Sequence, residues 1–195
     1  AVVNGAANAS PQDWGYFFLL VPVVSSTFAS IGRMFQTFRE ASIGWLLIDE
    51  AGQAAPQQAV GALWRARRAV VIGDPLQIEP VVTTPQHTTA LIFQGNGLLP
   101  TPWAAPAVSA QVMADRASII QGRFPVENPV PGGPTSRDTG MPLLVHRRCE
   151  KPMFDLANRI AYAERMVHAT GAGQSAIREK LGPSAWIDVD APSSG

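Results

Sequence analysis

Residues 44–53, Gly-Trp-Leu-Leu-Ile-Asp-Glu-Ala-Gly-Gln, constrain the fold of this chain more than any other stretch. Four large apolar residues in succession predict a short strand that is buried on both faces, as in a parallel sheet. Asp49 and Glu50 follow this strand directly, and ligands of open α/β folds bind at the carboxyl ends of strands. One carboxylate can hold a hydrated metal ion while the other accepts a proton from water. The alternative is that the chain only reaches the surface here.

Residues 69–80 repeat this pattern, because a short run rich in β-branched residues again ends in a tight turn and an acid, Gly73-Asp74. Gln77 follows the turn and offers an uncharged donor and acceptor beside the carboxylates. Such a side chain can test whether a terminal phosphate is present.

The segment between the two acidic turns, residues 56–68, predicts a helix. Pro56 suits the first helical turn, and apolar residues recur at helical spacing: Val60, Leu63 and Trp64. Strand, helix and strand form a βαβ unit, in which both acidic turns emerge at the same edge of the sheet.

Four stretches resemble the characteristic motifs of superfamily 1 helicases. Residues 49–53, Asp-Glu-Ala-Gly-Gln, resemble motif II (the Walker B box), and residues 73–80, Gly-Asp-Pro-Leu-Gln-Ile-Glu-Pro, resemble motif III. The run His146-Arg147-Arg148-Cys149, with Pro152, Met153, Phe154, Asn158 and Tyr162 after it, is similar to motif IV. Residues 22–30 resemble motif Ic. Order and spacing are similar to those of the 5′-to-3′ branch that includes the nonsense-mediated-decay helicases, over residues 17–167.

This resemblance implies an α/β fold, a RecA-like P-loop NTPase with a parallel sheet and flanking helices. Residues 1–141 would form the later part of a first motor domain, with a loop rich in Pro and Gly over 95–141. Residues 142–195 would begin the second motor domain. The implied function is an ATP-dependent helicase or translocase that uses ATP and Mg²⁺ on single-stranded or partly duplex DNA or RNA.

The resemblance also assigns roles to individual residues. Asp49 would bind Mg²⁺ through water, and Glu50 would orient and deprotonate the attacking water. Gln77 would sense the γ-phosphate, and Arg148, rather than Arg147, would stabilise charge on it in the transition state. The hydroxyl residues Ser26 and Thr27 would contact the nucleic-acid backbone; the alternative is that the hydroxyls cap the next helix.

Two departures from the family are as informative as the matches. No Gly-x-x-x-x-Gly-Lys-Ser/Thr stretch occurs, and neither lysine, Lys151 or Lys180, follows a glycine loop. The family motifs that follow motif IV are also absent. We therefore expect an internal part of a longer motor, inactive alone, whose partner is the remainder of that motor. The competing class is a non-catalytic RecA-like module that binds nucleic acid or protein. A plain nucleotide hydrolase would share motif II but would not explain motifs Ic and IV.

Composition narrows the possible partners and the cellular compartment. Basic and acidic residues balance at 15 each, so no overall field attracts nucleic acid, although thirteen arginines can contact phosphates locally. The single cysteine, Cys149, excludes an internal disulfide and suits a reducing cytoplasm. No apolar run is long enough to cross a bilayer, so no membrane partner is expected.

The remaining segments predict further elements. Before the βαβ unit these are a loop over residues 1–15, a buried strand over 16–24 and a helix over 28–38 with Met34, Phe35 and Phe38 in the core. After it come a helix within 108–120, a loop over 129–140 and a strand over 141–145. The last elements are a helix from Pro152 with Met153, Leu156, Ala157 and Ile160 on one face, a helix over 174–181 and a strand over 186–190.

Overall fold

The computed structural model describes residues 9–74, 76–99, 103–126, 131, 133, 135–171, 176–183 and 185. The chain divides into two compact units, Ala1–Arg123 with Ser136–Met141, and Phe124–Thr135 with Pro142–Gly195. Helices and small parallel sheets alternate in the manner of an α/β protein. Among the described residues, no helix is both long and apolar enough to span a bilayer.

The predicted βαβ unit is confirmed in the first compact unit. Strand β1 (Leu46–Ile48) leads through a short 3₁₀ turn (Ala51–Gln53) to a helix over Pro56–Arg65, and strand β2 (Ala69–Val71) follows. The two strands pair in parallel, with Leu46 opposite Ala69 and Ile48 opposite Val71. Pro56 opens the helix, where its missing N–H costs nothing.

The helix between the two strands packs through its small residues. Ala59 and Ala62 are fully buried, whereas the larger residues of the predicted apolar set, Val60, Leu63 and Trp64, are exposed. Alanine on the inner face lets the helix lie close to the strands, and Ala59 joins Ile48 and Ala51 in one core cluster.

Strand β1 is buried on one face only, so the prediction of burial on both faces is wrong. The side chain of Ile48 is 3% exposed, but that of its neighbour Leu47 is 68% exposed. Successive strand residues point to opposite faces. The described part of the chain therefore covers the face that carries Ile48 and leaves the face that carries Leu47 open.

Residues 16–24 do not form the predicted buried strand. Residues 16–20 instead complete helix α1 (Pro11–Leu20), which also replaces part of the loop predicted before residue 15. Ser10 and Asp13 form a capping box at its start, and hydrogen bonds from Ser10 lower the pKa of the Asp13 carboxyl. This local start signal outweighs the β propensity of the apolar run that follows.

An aromatic cluster anchors α1 to the next helix, α2 (Phe28–Met34). Trp14 is the buried residue of α1, and its ring packs against Phe35 at 4.7 Å between centroids and stacks on Phe18 at 5.5 Å. Phe35 and Phe38 are buried beside it, as predicted. Helix α2 ends earlier than expected, so these two residues lie in the turn that follows it.

The middle of the chain contains more regular structure than the sequence indicated. The helix after Pro56 is α3. The elements that follow β2 in the middle of the chain are α4 (Gln86–Gly95), α5 (Ala110–Ala117), β3 (Gly122–Pro125) and β4 (Ser136–Thr139). Helix α5 confirms the helix predicted within 108–120. However, Ile119 and Ile120 lie beyond its end and are exposed, while the polar Gln111 and Asp115 are buried. Strand β4 occupies a segment predicted as loop.

The second unit contains β5 (Val145–His146), α6 (Met153–Ala161), β6 (Val167–His168) and α7 (Ala176–Leu181). Strand β5 starts later than the predicted strand over 141–145. Helix α6 confirms the prediction of a helix after Pro152, but its buried residues are Phe154 and Asn158 rather than the predicted apolar face, of which Met153, Leu156 and Ile160 are exposed. The strand predicted over 186–190 lies outside the described residues.

Candidate functional site

Asp49 and Glu50 leave β1 in a strained turn. Glu50 adopts the left-handed backbone conformation, with φ 54° and ψ 36°, which is uncommon for a residue with a side chain and costs about 1–3 kcal/mol. Its N–H donates to Asp49 Oδ1 at 3.0 Å, and its Oε2 accepts from Gln53 Nε2 at 3.1 Å. Both carboxylates are therefore held in place while remaining exposed.

The turn after β2 holds Gln77 in a similar way. Asp74 Oδ1 accepts the N–H of Leu76 at 2.9 Å, and Asp74 Oδ2 accepts from Gln77 Nε2 at 3.1 Å. An acid and a glutamine three residues apart thus occur in both turns, Glu50 with Gln53 and Asp74 with Gln77. The sequence analysis assigned no role to Gln53 or Asp74, although the repeated spacing was a visible signal.

The two turns are joined backbone to backbone. The N–H of Ile72 donates to the carbonyl of Ile48 at 2.8 Å, and the N–H of Ala51 donates to the carbonyl of Ile72 at 2.9 Å. Two glycines make this approach possible. A methyl group on Gly52 would lie 2.6 Å from the carbonyl oxygen of Asp74, and one on Gly73 would lie 2.7 Å from the nitrogen of Gly52.

Helix α5 packs against the second turn at Gly73. Gln111 Oε1 would lie 3.2 Å from a methyl group on Gly73, and Gln111 Nε2 donates to Asp115 Oδ1 at 2.9 Å. The same Asp115 oxygen accepts the N–H of Gly140 at 2.8 Å. Gln111 and Asp115 are both more than nine-tenths buried. Sequence reasoning missed them, because only the folded chain brings the helix against the turn.

The charges of this sheet edge favour a cation. Asp49, Glu50 and Asp74 lie on the two joined turns. Asp49 Oδ2 makes no hydrogen bond within the described part of the chain, so this oxygen is available. No group of three His, Cys, Asp or Glu side chains suited to a metal is assembled among the described residues. Mg²⁺ is commonly held by only one or two carboxylates together with water and phosphate oxygens, so a cluster of three such side chains is not a requirement for it.

Ser26 and Thr27 precede helix α2. Thr27 occupies the N-cap position, but its hydroxyl makes no capping hydrogen bond, and Ser26 Oγ donates instead to the carbonyl of Thr27 at 3.3 Å. The alternative role of these hydroxyls, capping the helix, is therefore not realised here. Both side chains are exposed.

Arg148 belongs to the second unit, in the turn that follows β5. Arg147 and Arg148 are both exposed. The backbone of the next residue is fixed, since the N–H of Cys149 donates to His146 Nε2 at 2.9 Å. Exposure therefore does not separate the two arginines; the motif register is what favours Arg148.

Comparison with known proteins gives a family match for part of the chain. A family model described as an AAA domain matches residues 17–85, which include both acidic turns and the βαβ unit between them. No curated protein and no solved structure matches the chain. The match supports an AAA-type domain over residues 17–85, which is less than half of the chain.

The glycine contact yields a direct prediction. Gly52→Ala should destabilise the chain by about 1–3 kcal/mol, because the new methyl group meets the backbone of Asp74 and an overpacked contact must be relieved by moving one turn. The free energy of unfolding is measured by urea denaturation, with circular dichroism as the signal.

Gly32→Ala is the matched control, since Gly32 lies in α2 with nothing within 4 Å of a new methyl group. It should leave stability unchanged or raise it by up to about 1 kcal/mol. Equal unfolding midpoints for Gly52→Ala and the unaltered chain would mean that the two turns are not in contact.

Proposed function

We propose that this chain is part of an ATP-driven helicase or translocase of superfamily 1, with a RecA-like motor fold. The observation that supports this best is the junction of two acidic turns at one edge of a parallel βαβ unit. Each turn holds a side chain that the motif resemblance assigns to ATP hydrolysis. The AAA-domain match over residues 17–85 agrees with this proposal.

Glu50 is the general base in this proposal. Its carboxylate is exposed and oriented by Gln53, so it can accept a proton from a water molecule while keeping its direction. Asp49, with its free Oδ2, is the residue that would hold Mg²⁺, which supplies charge neutralisation on the phosphates when bound.

Gln77 reports on the nucleotide. Its amide nitrogen donates to Asp74, and its amide oxygen remains an acceptor. A glutamine that changes partners when a terminal phosphate is lost would move the Gly73-Asp74 turn, which is bonded to the Glu50 turn through Ile72. Chemistry at Glu50 and movement at Gln77 are thereby coupled.

The remaining assignments complete the motor. Arg148 stabilises charge on the γ-phosphate in the transition state, and Ser26 and Thr27 contact the backbone of single-stranded or partly duplex DNA or RNA. The exposed hydroxyls of Ser26 and Thr27, free of a capping role, agree with this contact. The remainder of the motor would supply the phosphate-binding loop that the present sequence lacks.

A non-catalytic binding module is the second candidate, favoured by the lack of a Gly-Lys-Ser/Thr loop in this sequence. Both candidates predict that the purified 195-residue chain hydrolyses ATP no faster than buffer, because no lysine loop holds the β- and γ-phosphates. Phosphate release with Mg²⁺-ATP measures this. A Mg²⁺-dependent rate that Glu50→Gln abolishes would contradict the requirement for a loop supplied from elsewhere.

Glu50→Gln separates the two candidates in the full-length protein that carries this chain. The amide fills the same volume but cannot accept a proton, so ATP binding should persist while turnover falls about a hundredfold or more. Steady-state ATPase and nucleotide-binding measurements test this, with the exposed Glu40→Gln as control. If Glu50→Gln turned over at the unaltered rate, Glu50 would be only the end of a strand.

Arg148→Ala and Arg147→Ala test the register of motif IV. A guanidinium directed at the γ-phosphate stabilises the transition state more than the ground state, so Arg148→Ala should lower the ATPase rate about a hundredfold or more. Arg147→Ala should cost at most a few-fold. Arg148→Lys should restore little, because a point charge does not reproduce the planar fork.

The assay is steady-state ATPase of the full-length protein at saturating nucleic acid. A severe loss in Arg147→Ala instead would shift the motif by one residue. If neither substitution mattered, the segment from Val145 to Tyr162 would be a packing motif without a part in catalysis.

A further inference from the structure

Strands β5 and β6 place two histidines side by side, next to the turn that carries Arg147 and Arg148. His146 and His168 are register partners in the parallel pair. Their rings lie on the buried ring of Phe154, at 5.4 Å and 4.8 Å between centroids. Helix α6 thus provides a hydrophobic base for both imidazoles, and each is half-buried.

Both backbone polar groups of Cys149 are bonded to these histidines. The N–H of Cys149 donates to His146 Nε2 at 2.9 Å, and the carbonyl of Cys149 lies 3.2 Å from His168 Nε2. A carbonyl can only accept, so His168 carries its proton on Nε2. His146 presents a lone pair at Nε2 to accept the Cys149 N–H, which leaves Nδ1 as the ring nitrogen that carries hydrogen.

We propose that His146 and His168 are positioning residues that clamp the Cys149 backbone and thereby fix the direction of Arg148. The peptide bond is planar, so the Cys149 N–H lies in one plane with the Cα atom of Arg148. Holding that N–H sets the plane from which the Arg148 side chain leaves the turn. This role rests on the proposed function of Arg148, whereas the clamp itself rests on the two hydrogen bonds.

A clamp matters here because Arg148 is exposed and has a long, flexible side chain. A catalytic group contributes most when its geometry is fixed before the reaction. Two side-chain bonds to one residue of a short turn restrict the backbone without covering the guanidinium. The arrangement leaves Arg148 accessible while its starting point is fixed.

Amide hydrogen exchange at Cys149, measured by NMR on the 195-residue chain, tests the clamp independently of catalysis. His146→Phe keeps a ring against Phe154 but removes the acceptor, and exchange at the Cys149 amide should accelerate about tenfold, as expected for a lost hydrogen bond. His146→Gln places an amide oxygen where Nε2 stands and should retain protection. Unchanged exchange in His146→Phe would overturn the clamp.

Steady-state ATPase of the full-length protein tests the positioning role. His146→Phe should lower kcat about tenfold with little change in KM for ATP, and His146→Gln should restore most of the rate. In an Arg148→Ala background, His146→Phe should have no further effect, since its influence passes through Arg148. An equal loss in both backgrounds would show a packing role and overturn the proposal.

The two experiments separate the clamp from the catalytic assignment. If Arg148→Ala left the ATPase rate unchanged, the proposed role of Arg148 would fail, and positioning for catalysis would fail with it. Faster Cys149 exchange in His146→Phe would still establish the clamp as a feature of the turn. Two substitutions at His168 test the bond to the Cys149 carbonyl in the same two assays. His168→Phe removes the donor and should speed Cys149 amide exchange and lower kcat, as His146→Phe does. His168→Gln keeps a donor and should retain protection and most of the rate.

Discussion

The close approach of two glycine backbones determines the geometry of the candidate site. Gly52 and Gly73 let the turn after β1 and the turn after β2 touch, at distances where a methyl group would meet a carbonyl oxygen or an amide nitrogen. The hydrogen bonds of Ile72 to Ile48 and Ala51 then lock the turns together. Side chains in either turn inherit their positions from this contact, so Glu50 and Gln77 belong to one joined edge of the sheet rather than to two separate loops.

Behind this edge, α5 buries two polar side chains beside the apolar Ala110 of the core. Gln111 on α5 bonds to Asp115 through its amide nitrogen, and Asp115 also bonds the backbone of Gly140. Hydrogen bonds offset the cost of burying polar side chains, and they fix a geometry more narrowly than apolar contacts do. The turn at Gly73 is therefore linked through α5 to the end of β4. A displacement at Gly73 would press on Gln111 and so act on bonds that extend beyond the two turns.

The sequence predicted the parts of the structure that depend on local pattern. The βαβ unit, the two acidic turns and the helix after Pro152 follow from short-range periodicity and turn residues. The segment 16–24 was misread because its helix is started by Ser10 and Asp13, outside the apolar run itself. Strand β4 is polar throughout, so no alternation marked it. Gln53 and Asp74 bond to residues three positions away in their own turns, so the repeated spacing of acid and glutamine was the signal for them. Gln111 carried no such signal, because its contact with Gly73 arises only when α5 packs against the turn.

A common physical arrangement recurs at each candidate catalytic group. Glu50 is held by Gln53, Gln77 by Asp74, and the peptide that carries Arg148 by His146. In each case the group itself stays exposed, and a neighbouring polar residue fixes its direction. An exposed side chain free to rotate loses about 1–2 kcal/mol of conformational entropy when a reaction requires one orientation. Restricting it beforehand lowers that loss. In the proposed mechanism the supporting residues, which carry no reactive role of their own, would thus contribute to the rate through the order they impose.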